Sequence, residues 1–452
     1  MQTYFLSYLT LYAGVAELFT PKAAAESAAC CNPNDHLLSC VSVKVNADII
    51  FASQDNQDIS FNDIKLSFSN PIDPHGKVYK NKQGDEAIIN YSKETGDIIG
   101  SLRTHDGHSY ELELCGDEGD YIFKEFDLTS DPDEGDDVEY RKDDVIGHAA
   151  HSLPVTAPDM LDMQSVSLHS EFGPPSEISV MVYYTPALIA RRFNGNTQKF
   201  ALWIDKVFAE TNQAFKNSRI NAKVVKFCQE EADIQERSAD YIWSAFKRYK
   251  SRDGWTYPKL RNTADTAALF HSGSVCHICG VAELNGRISS TSYYAADTYF
   301  TYAHELGHNL GAEHDRLGRG RSDNHGHFLE GVPYRTILAY NRHPGPWRHT
   351  NRIEHFSNHD VRYNGVPTGV YGRTNNARTI RNNIRRASKW GNEKGTCKGE
   401  RRTSTRRPRR SSTTRRPRIT QRPRITKRTT TKRWSGRRTT TPRDYECLWG
   451  TC

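Results

Sequence analysis

The segment that most restricts what this chain can become is Thr301-Tyr-Ala-His304-Glu305-Leu-Gly-His308-Asn-Leu-Gly311-Ala-Glu-His314-Asp315. A helix over 302–310 puts His304 and His308 on one face, with Glu305 beside them. Gly311 can take positive φ, ending that helix and turning the chain so that His314 brings a third imidazole to the same point. Three neutral imidazoles suit zinc and leave its fourth position open for water. Zinc would lower the pKa of that water toward about 7. Glu305 would then accept its proton and later hand it to a leaving amine. The competing reading is an ordinary helix with a satisfied histidine cluster. Against it, His304, Glu305, His308, Gly311, His314 and Asp315, at about 5% usage each, coincide on the order of 10⁻⁸ times per start position.

The 452 residues suffice for two domains with tails. Residues 26–165 read as a β-rich, acidic unit: short alternating stretches such as Ala87–Tyr91 and Ser109–Leu114 are separated by Gly, Asp and Asn turns. Asp131–Asp137 forms an acidic loop, and 151–175 has linker composition. A second unit, 176–398, opens on a strand over 178–184. Phe200, Trp203, Ile204, Val207, Phe208 and Phe215 then recur at helical spacing after Asn196-Thr197, and 220–227 returns to a strand pattern. Ala239, Ile242, Trp243, Phe246 and Tyr249 make another helical face, and 266–270 a third strand. Strands alternating with helices predict an α/β unit with a mixed, mostly parallel sheet. The aromatic faces read as core.

The histidine segment resembles that of the metzincin zinc metallopeptidases, and the aspartate directly after the third histidine resembles the adamalysin/reprolysin group. The similarity runs from Glu177 to Cys397 and includes Gly280-Val-Ala282, Phe356-Ser-Asn358 and Asn375-Asn-Ala377. It implies a catalytic domain split by a cleft, with sheet and helices above and a looser subdomain below. It also implies one catalytic zinc on His304, His308 and His314, Glu305 as base, Asp315 bracing the lower subdomain, and protein or peptide substrates. Metzincins place a methionine in a tight turn beneath the zinc. Here Tyr334-Arg-Thr-Ile-Leu338-Ala-Tyr340 takes that place, and the methionines are at 1, 160, 163 and 181. Leu338 must substitute. It is similarly apolar and nearly isovolumetric, a change that costs under about 1.5 kcal/mol, so the floor should survive. Tyr340 matches a position where astacins and serralysins carry a tyrosine near the metal. It could hydrogen-bond the oxyanion, or be a packed tyrosine with no catalytic role.

Ten cysteines, at 30, 31, 40, 115, 228, 276, 279, 397, 447 and 452, point to disulfides and an oxidising compartment. In latent metzincins a propeptide thiolate often fills the open zinc position, so Cys115 could keep a zymogen inactive. The alternative is a disulfide with Cys30, Cys31 or Cys40. Cys276-His-Ile-Cys279 has no second pair at ribbon spacing, which favours structural disulfides among Cys228, Cys276, Cys279 and Cys397. The resemblance implies one bond from Cys397 to the segment before the zinc helix. His325 and His327 read as loop histidines. Residues 1–25 read as a signal peptide, with Gly14 and Ala16, or Ala23 to Ala25, suited to cleavage; the chain is expected to be secreted and extracellular. Arg141-Lys142 and the linker are candidate processing sites. Asn90-Tyr91-Ser92 is a glycosylation sequon. No run of 18 apolar residues follows the leader, so no membrane span is expected.

The formal charge of +7 conceals two opposite regions. Residues 401–443 hold 18 Arg and Lys without an acid, leaving 43 bases against 54 acids elsewhere. The 399–443 segment has too few apolar residues to offset the entropy of ordering and reads as a disordered tail, followed by a Cys-containing terminus at 444–452. Such a tail suits sulfated glycans or another polyanion. Nucleic acid is disfavoured, because Trp434 is its single aromatic. Nothing in the sequence supports a structural calcium. The combined expectation is a secreted zinc metalloendopeptidase made as a zymogen. The alternative, motivated by the missing methionine, is a catalytically impaired metzincin-fold adhesion or polyanion-binding protein.

Overall fold

The computed structural model describes residues 16–21, 31, 37–51, 58–61, 64–72, 76–115, 120–128, 173–249, 264–273, 279–315, 323–341 and 349–391. The Asp131–Asp137 loop, Arg141-Lys142, the linker before residue 173, Cys276, Cys397, the 399–443 tail and the 444–452 terminus lie outside them. No helix among the described residues is long and apolar enough to cross a membrane.

Among the described residues the amino-terminal unit is one ten-stranded sheet. Strands Ile64–Ile72, Gly76–Lys80, Glu86–Tyr91, Ile98–Arg103, Ser109–Cys115 and Asp120–Phe126 form an antiparallel meander, and Leu37–Val45 pairs with the last of them. Side chains alternate between the faces of a strand. Ile89 therefore joins the unit's own core with Tyr79, Leu102 and Phe123, while its neighbour Ile88 packs with Val78 against Ala209 of the second unit. Two findings bear on the sequence signals. Asn90 is only 1% exposed on its strand, so the sequon is closed in the folded chain. Residues 16–21, inside the expected leader, pair in this sheet, and Leu18 is fully buried.

Elements of the second unit are numbered from its first strand. Strand β1 (Ser176–Tyr184) is flanked in parallel by β2 (Ala222–Glu231) and β3 (Thr266–His271). Strand β4 (Gly280–Ala282) lies at the sheet edge, antiparallel to β5 (Ile288–Ser292), which is parallel to β3. The sheet is mixed and mostly parallel, as the alternation of strands and helices predicts. Strand β2 runs past the expected Phe227 because its ladder with β1 continues to the pair Tyr184–Glu231.

Helices α1 (Pro186–Arg192), α2 (Thr197–Asn217), α3 (Ala239–Arg248), α4 (Tyr293–Ala296), α5 (Thr301–Asn309) and α6 (Asn376–Ala387) complete the unit. Helix α2 starts at Asn196, whose side chain accepts from the N–H groups of Gln198 and Lys199, satisfying two donors that the helix leaves open. Its predicted face, from Phe200 to Phe215, enters the core with Ile178, Val180 and Phe270. The opposite face is covered as well: Lys206 and Glu210 are buried where the amino-terminal sheet lies on the helix. There Lys206 pairs with Glu111 and, at 3.0 Å, with Asp297, while Arg103 pairs with Glu111 at 3.1 Å.

Candidate metal centre and catalytic cleft

Helix α5 carries the first two imidazoles. Its carboxyl end closes with a paired backbone motif: Ala312 N–H donates to Gly307 O and Gly311 N–H to His308 O, both at 2.9 Å. This closure needs a left-handed residue, and Gly311 supplies it at φ +88°. A Cβ there would also press within 3.0 Å of Asn285 Oδ1. The turn delivers His314 as anticipated. His304 Nε2, His308 Nε2 and His314 Nε2 lie 2.9–3.0 Å from one another.

The opposite ring nitrogens fix the tautomers. His304 Nδ1 donates to Ile337 O and His308 Nδ1 to Ala312 O, each at 2.8 Å, because a carbonyl can only accept. Each Nε2 therefore presents a lone pair to its neighbours. Burial holds all three imidazoles neutral: His308 is pushed down to about 4, and His304 and His314 lie well below the ordinary histidine range. Converging lone pairs repel, and a cation between them turns that repulsion into coordination. The donor set fits zinc, and His304, His308 and His314 would hold it.

Glu305 is 4% exposed on the same helix. It packs against edge strand β4, where a Cβ on Gly280 would come closer than 3.0 Å to Glu305 Oε1 and Thr301 Cγ2. Gly280 thus makes room for the carboxylate. Asn309 ties the helix to the same region, its side-chain amide donating to Glu283 O and Ile288 O.

Beneath the helix, Ala339 N–H donates to Thr336 O, closing a tight turn with Leu338 inside it. Leu338 is fully buried, and a Cβ on Gly307 would meet its Cδ2 at 3.0 Å. The apolar floor exists with leucine in place of methionine. Asp315, its carboxyl raised by burial, accepts the Tyr340 N–H at 2.7 Å and so joins the third ligand's segment to the turn. The Tyr340 hydroxyl lies 2.6 Å from His314 Nδ1. In this arrangement the tyrosine contacts the far side of a ligand ring. Farther on, Ser357 Oγ donates to His325 O, and the Asn376 amide to Asn324 O, pinning the loop that leaves His314. His325 is not in the cluster; its Nδ1 donates to His314 O.

Cys115 requires a correction. It is disulfide-bonded, so it has no thiolate to offer a metal. Cys31 pairs with Cys40, and Cys228 and Cys279 are also in disulfides. A zinc-bound Cys115 would also leave three upstream cysteines, an odd number, for disulfides.

One residue escaped sequence reasoning. Arg352 is buried in strand β7 (Asn351–Arg352), which pairs in parallel with β6 (Tyr334–Arg335), and its Nη1 donates to Tyr299 O at 2.7 Å. Nothing in the local sequence marks it, because it approaches the zinc helix only through that pairing.

Residues 175–357 match the description of Metallo-peptidase family M12, Reprolysin_5. Two relatives named peptidyl-Asp metalloendopeptidase come from Stenotrophomonas maltophilia. The protein of strain K279a is 28% identical over 66% of this chain and 69% of its own length. That of strain R551-3 is 26% identical over 70% and 73%. A third of the same name, from Xanthomonas campestris pv. campestris, is 26% identical over 49% of this chain and 53% of its own. The matched stretch spans the zinc helix, its glycine turn and the leucine floor. Kinship and ligand chemistry converge on one assignment: the chain is a metzincin-like zinc metalloendopeptidase.

Proposed function

We propose that Glu305 is the general base of this endopeptidase and that the chain is made as a secreted zymogen. The observation that carries the first part is Glu305, next to His304 on the helix that brings the imidazoles together, with its carboxylate in the space left by Gly280. Bound zinc supplies a polarised water and an electrophile for the substrate carbonyl. Glu305 takes the proton released in attack and passes it to the departing amine. Strand β4 is terminal in its sheet, so an extended peptide can add along it by main-chain hydrogen bonds, laying a scissile bond beside Glu305. Tyr340 and the carbonyls of Ile337 and Ala312 hold the rings in register.

The relatives' name supports a preference for aspartate next to the bond that is cut. Secretion rests on the leader-like start and on the disulfides. Cleavage near Gly14 or Ala16 keeps Leu18 in its core, whereas cleavage at Ala23 to Ala25 would strip it out. Latency would come from the amino-terminal unit as a folded body, since Cys115 is committed to a disulfide. The 401–443 segment would retain the enzyme on sulfated glycans, a reading that rests on its charge alone.

Glu305→Ala should abolish hydrolysis of a protein substrate while zinc content per chain stays unchanged. Normal cleavage by that variant would remove Glu305 from the mechanism.

A further inference from the structure

Helix α6 presents a surface that the peptidase chemistry leaves unused. Residues 361–392 hold seven Arg and Lys and no acid, although the chain outside 401–443 carries 54 acids against 43 bases. The apolar residues of the helix, Ala377, Ile380, Ile384 and Ala387, enter the core. Arg381, Arg385 and Lys389 follow one another four residues apart on the other side, and Arg386 flanks them. Lys389 stays in step because its N–H donates to Arg386 O at 3.1 Å, continuing the helical turn. From Arg381 to Lys389 the row covers about 12 Å. Arg219, at φ +57° in the loop after α2, stands beside it: Arg381 Nη1 donates to Arg219 O at 3.2 Å.

These charges face water without compensation. Arg219, Arg385, Arg386 and Lys389 are exposed, and among the described residues none of the four is paired with an acid. Asp323 is taken by Arg378 at the start of the helix. The helix dipole favours Arg385 and Arg386 in the last turn, but not Arg381 in the middle or Arg219 on another element. Like charges four residues apart on a helix repel, so the row is unfavourable until an anion lies along it. A small anion would neutralise one or two of these groups, whereas a linear chain of repeated anions meets them all. Guanidinium forks suit sulfate oxygens. Nucleic acid is the poorer fit, because Trp390 packs against the core and leaves bases nothing on the row to stack on. The disulfides fit an oxidising, extracellular setting, where sulfated glycans are the abundant polyanion.

We propose that the outer face of α6, with Arg219 beside it, is a binding surface for a sulfated glycan chain. For the class of ligand this rests on the glycan-retention reading given above for 401–443. It goes beyond that reading by placing a contact on the folded catalytic unit.

The test keeps the full chain and uses a short heparin oligosaccharide as probe, with its desulfated form and a DNA duplex as comparisons. One variant combines Arg381→Gln, Arg385→Gln and Lys389→Gln on the helix; the other combines Arg406→Gln, Arg407→Gln and Arg409→Gln in the tail. Peptide cleavage and melting temperature, both expected to match wild type, control for folding. The helix variant should bind heparin on the order of 10-fold more weakly, and its slope of log K against log salt should be shallower by about one per cation removed. In wild type, heparin should shield Lys389 from acylation while the exposed Lys82, in a turn of the amino-terminal sheet, stays reactive. Should the helix variant not fold, that footprint decides alone. If the helix variant keeps wild-type affinity and slope, or if Lys389 stays reactive in the complex, the surface is overturned, and a loss in the tail variant leaves the tail reading standing. A loss in the helix variant with none in the tail variant supports this surface and removes the tail. Equal binding of desulfated heparin, or of DNA with the same dependence on the helix, overturns a sulfated glycan as the ligand. No binding by wild type ends both readings.

Discussion

The Tyr340 hydroxyl stands 2.6 Å from His314 Nδ1, and the Tyr340 N–H is held by Asp315, the residue that follows His314. The turn beneath the zinc helix and the third ligand therefore brace each other. With His314 Nε2 facing the other ligands, Nδ1 carries the hydrogen and donates to the tyrosine oxygen. Tyr340→Phe should weaken zinc binding about 10- to 100-fold, measured by competition with a chelator. If the tyrosine acts on the oxyanion instead, zinc affinity would stay as it was and kcat alone would fall by about 100-fold or more.

Gly280→Ala tests the space beneath the base. Its methyl cannot share the volume with Glu305 Oε1, so the carboxylate must shift. A displacement of about 1 Å at a reacting group costs on the order of 100-fold in rate. Steady-state kinetics should show that loss in kcat, with zinc affinity preserved because Glu305 is not a ligand.

The leucine floor gives a paired prediction. Leu338→Met keeps the apolar volume against Gly307 and Phe356 and should change stability by less than about 1.5 kcal/mol. Leu338→Ala opens a cavity under the zinc helix and should cost about 2–5 kcal/mol by chemical denaturation. A large gain from Leu338→Met would mean that leucine is a poor substitute after all.

Glu354 predicts a dependence on pH. Burial, then the Glu86 carboxyl beside it, raises Glu354 well above the ordinary carboxylate range. A raised carboxyl stabilises the fold in its protonated form. That contribution is complete below the unfolded value and is lost as pH rises through the folded one. Glu354→Gln imitates the protonated state. It should melt at least about 3 °C higher than wild type at pH 8, with the difference closing toward pH 4 in thermal melts. A variant less stable than wild type at pH 8 would show that the carboxylate form is the one the fold prefers.

Much of the catalytic unit was legible because its signals are local. Asn196 caps a helix whose apolar residues recur at one spacing, and Gly311 ends the zinc helix where only positive φ would serve. Other features depend on partners distant in the chain. Arg352 approaches Tyr299 through strand pairing, and Gly280 matters because a carboxylate from another element occupies its missing side chain. The sequence leaves Cys115 open between zinc and a disulfide for the same reason: a cysteine's neighbours in sequence do not say whether it meets a metal or another sulfur. The covering of α2 on both faces was equally hidden, since Lys206 and Glu210 read as an ordinary polar face until a second sheet lies on them.

That covered face bears on how the protein could be divided. Arg103 and Glu111 both belong to the amino-terminal sheet, while Lys206 and Asp297 both belong to the unit that carries the ligands. Drawing the two apart would break the Lys206–Glu111 and Arg103–Glu210 links, leaving Arg103 with Glu111 and Lys206 with Asp297 and Glu210. Each base of the seam keeps an acid on its own side, so a protease that severed the connecting chain would strand neither Arg103 nor Lys206 without a counterion.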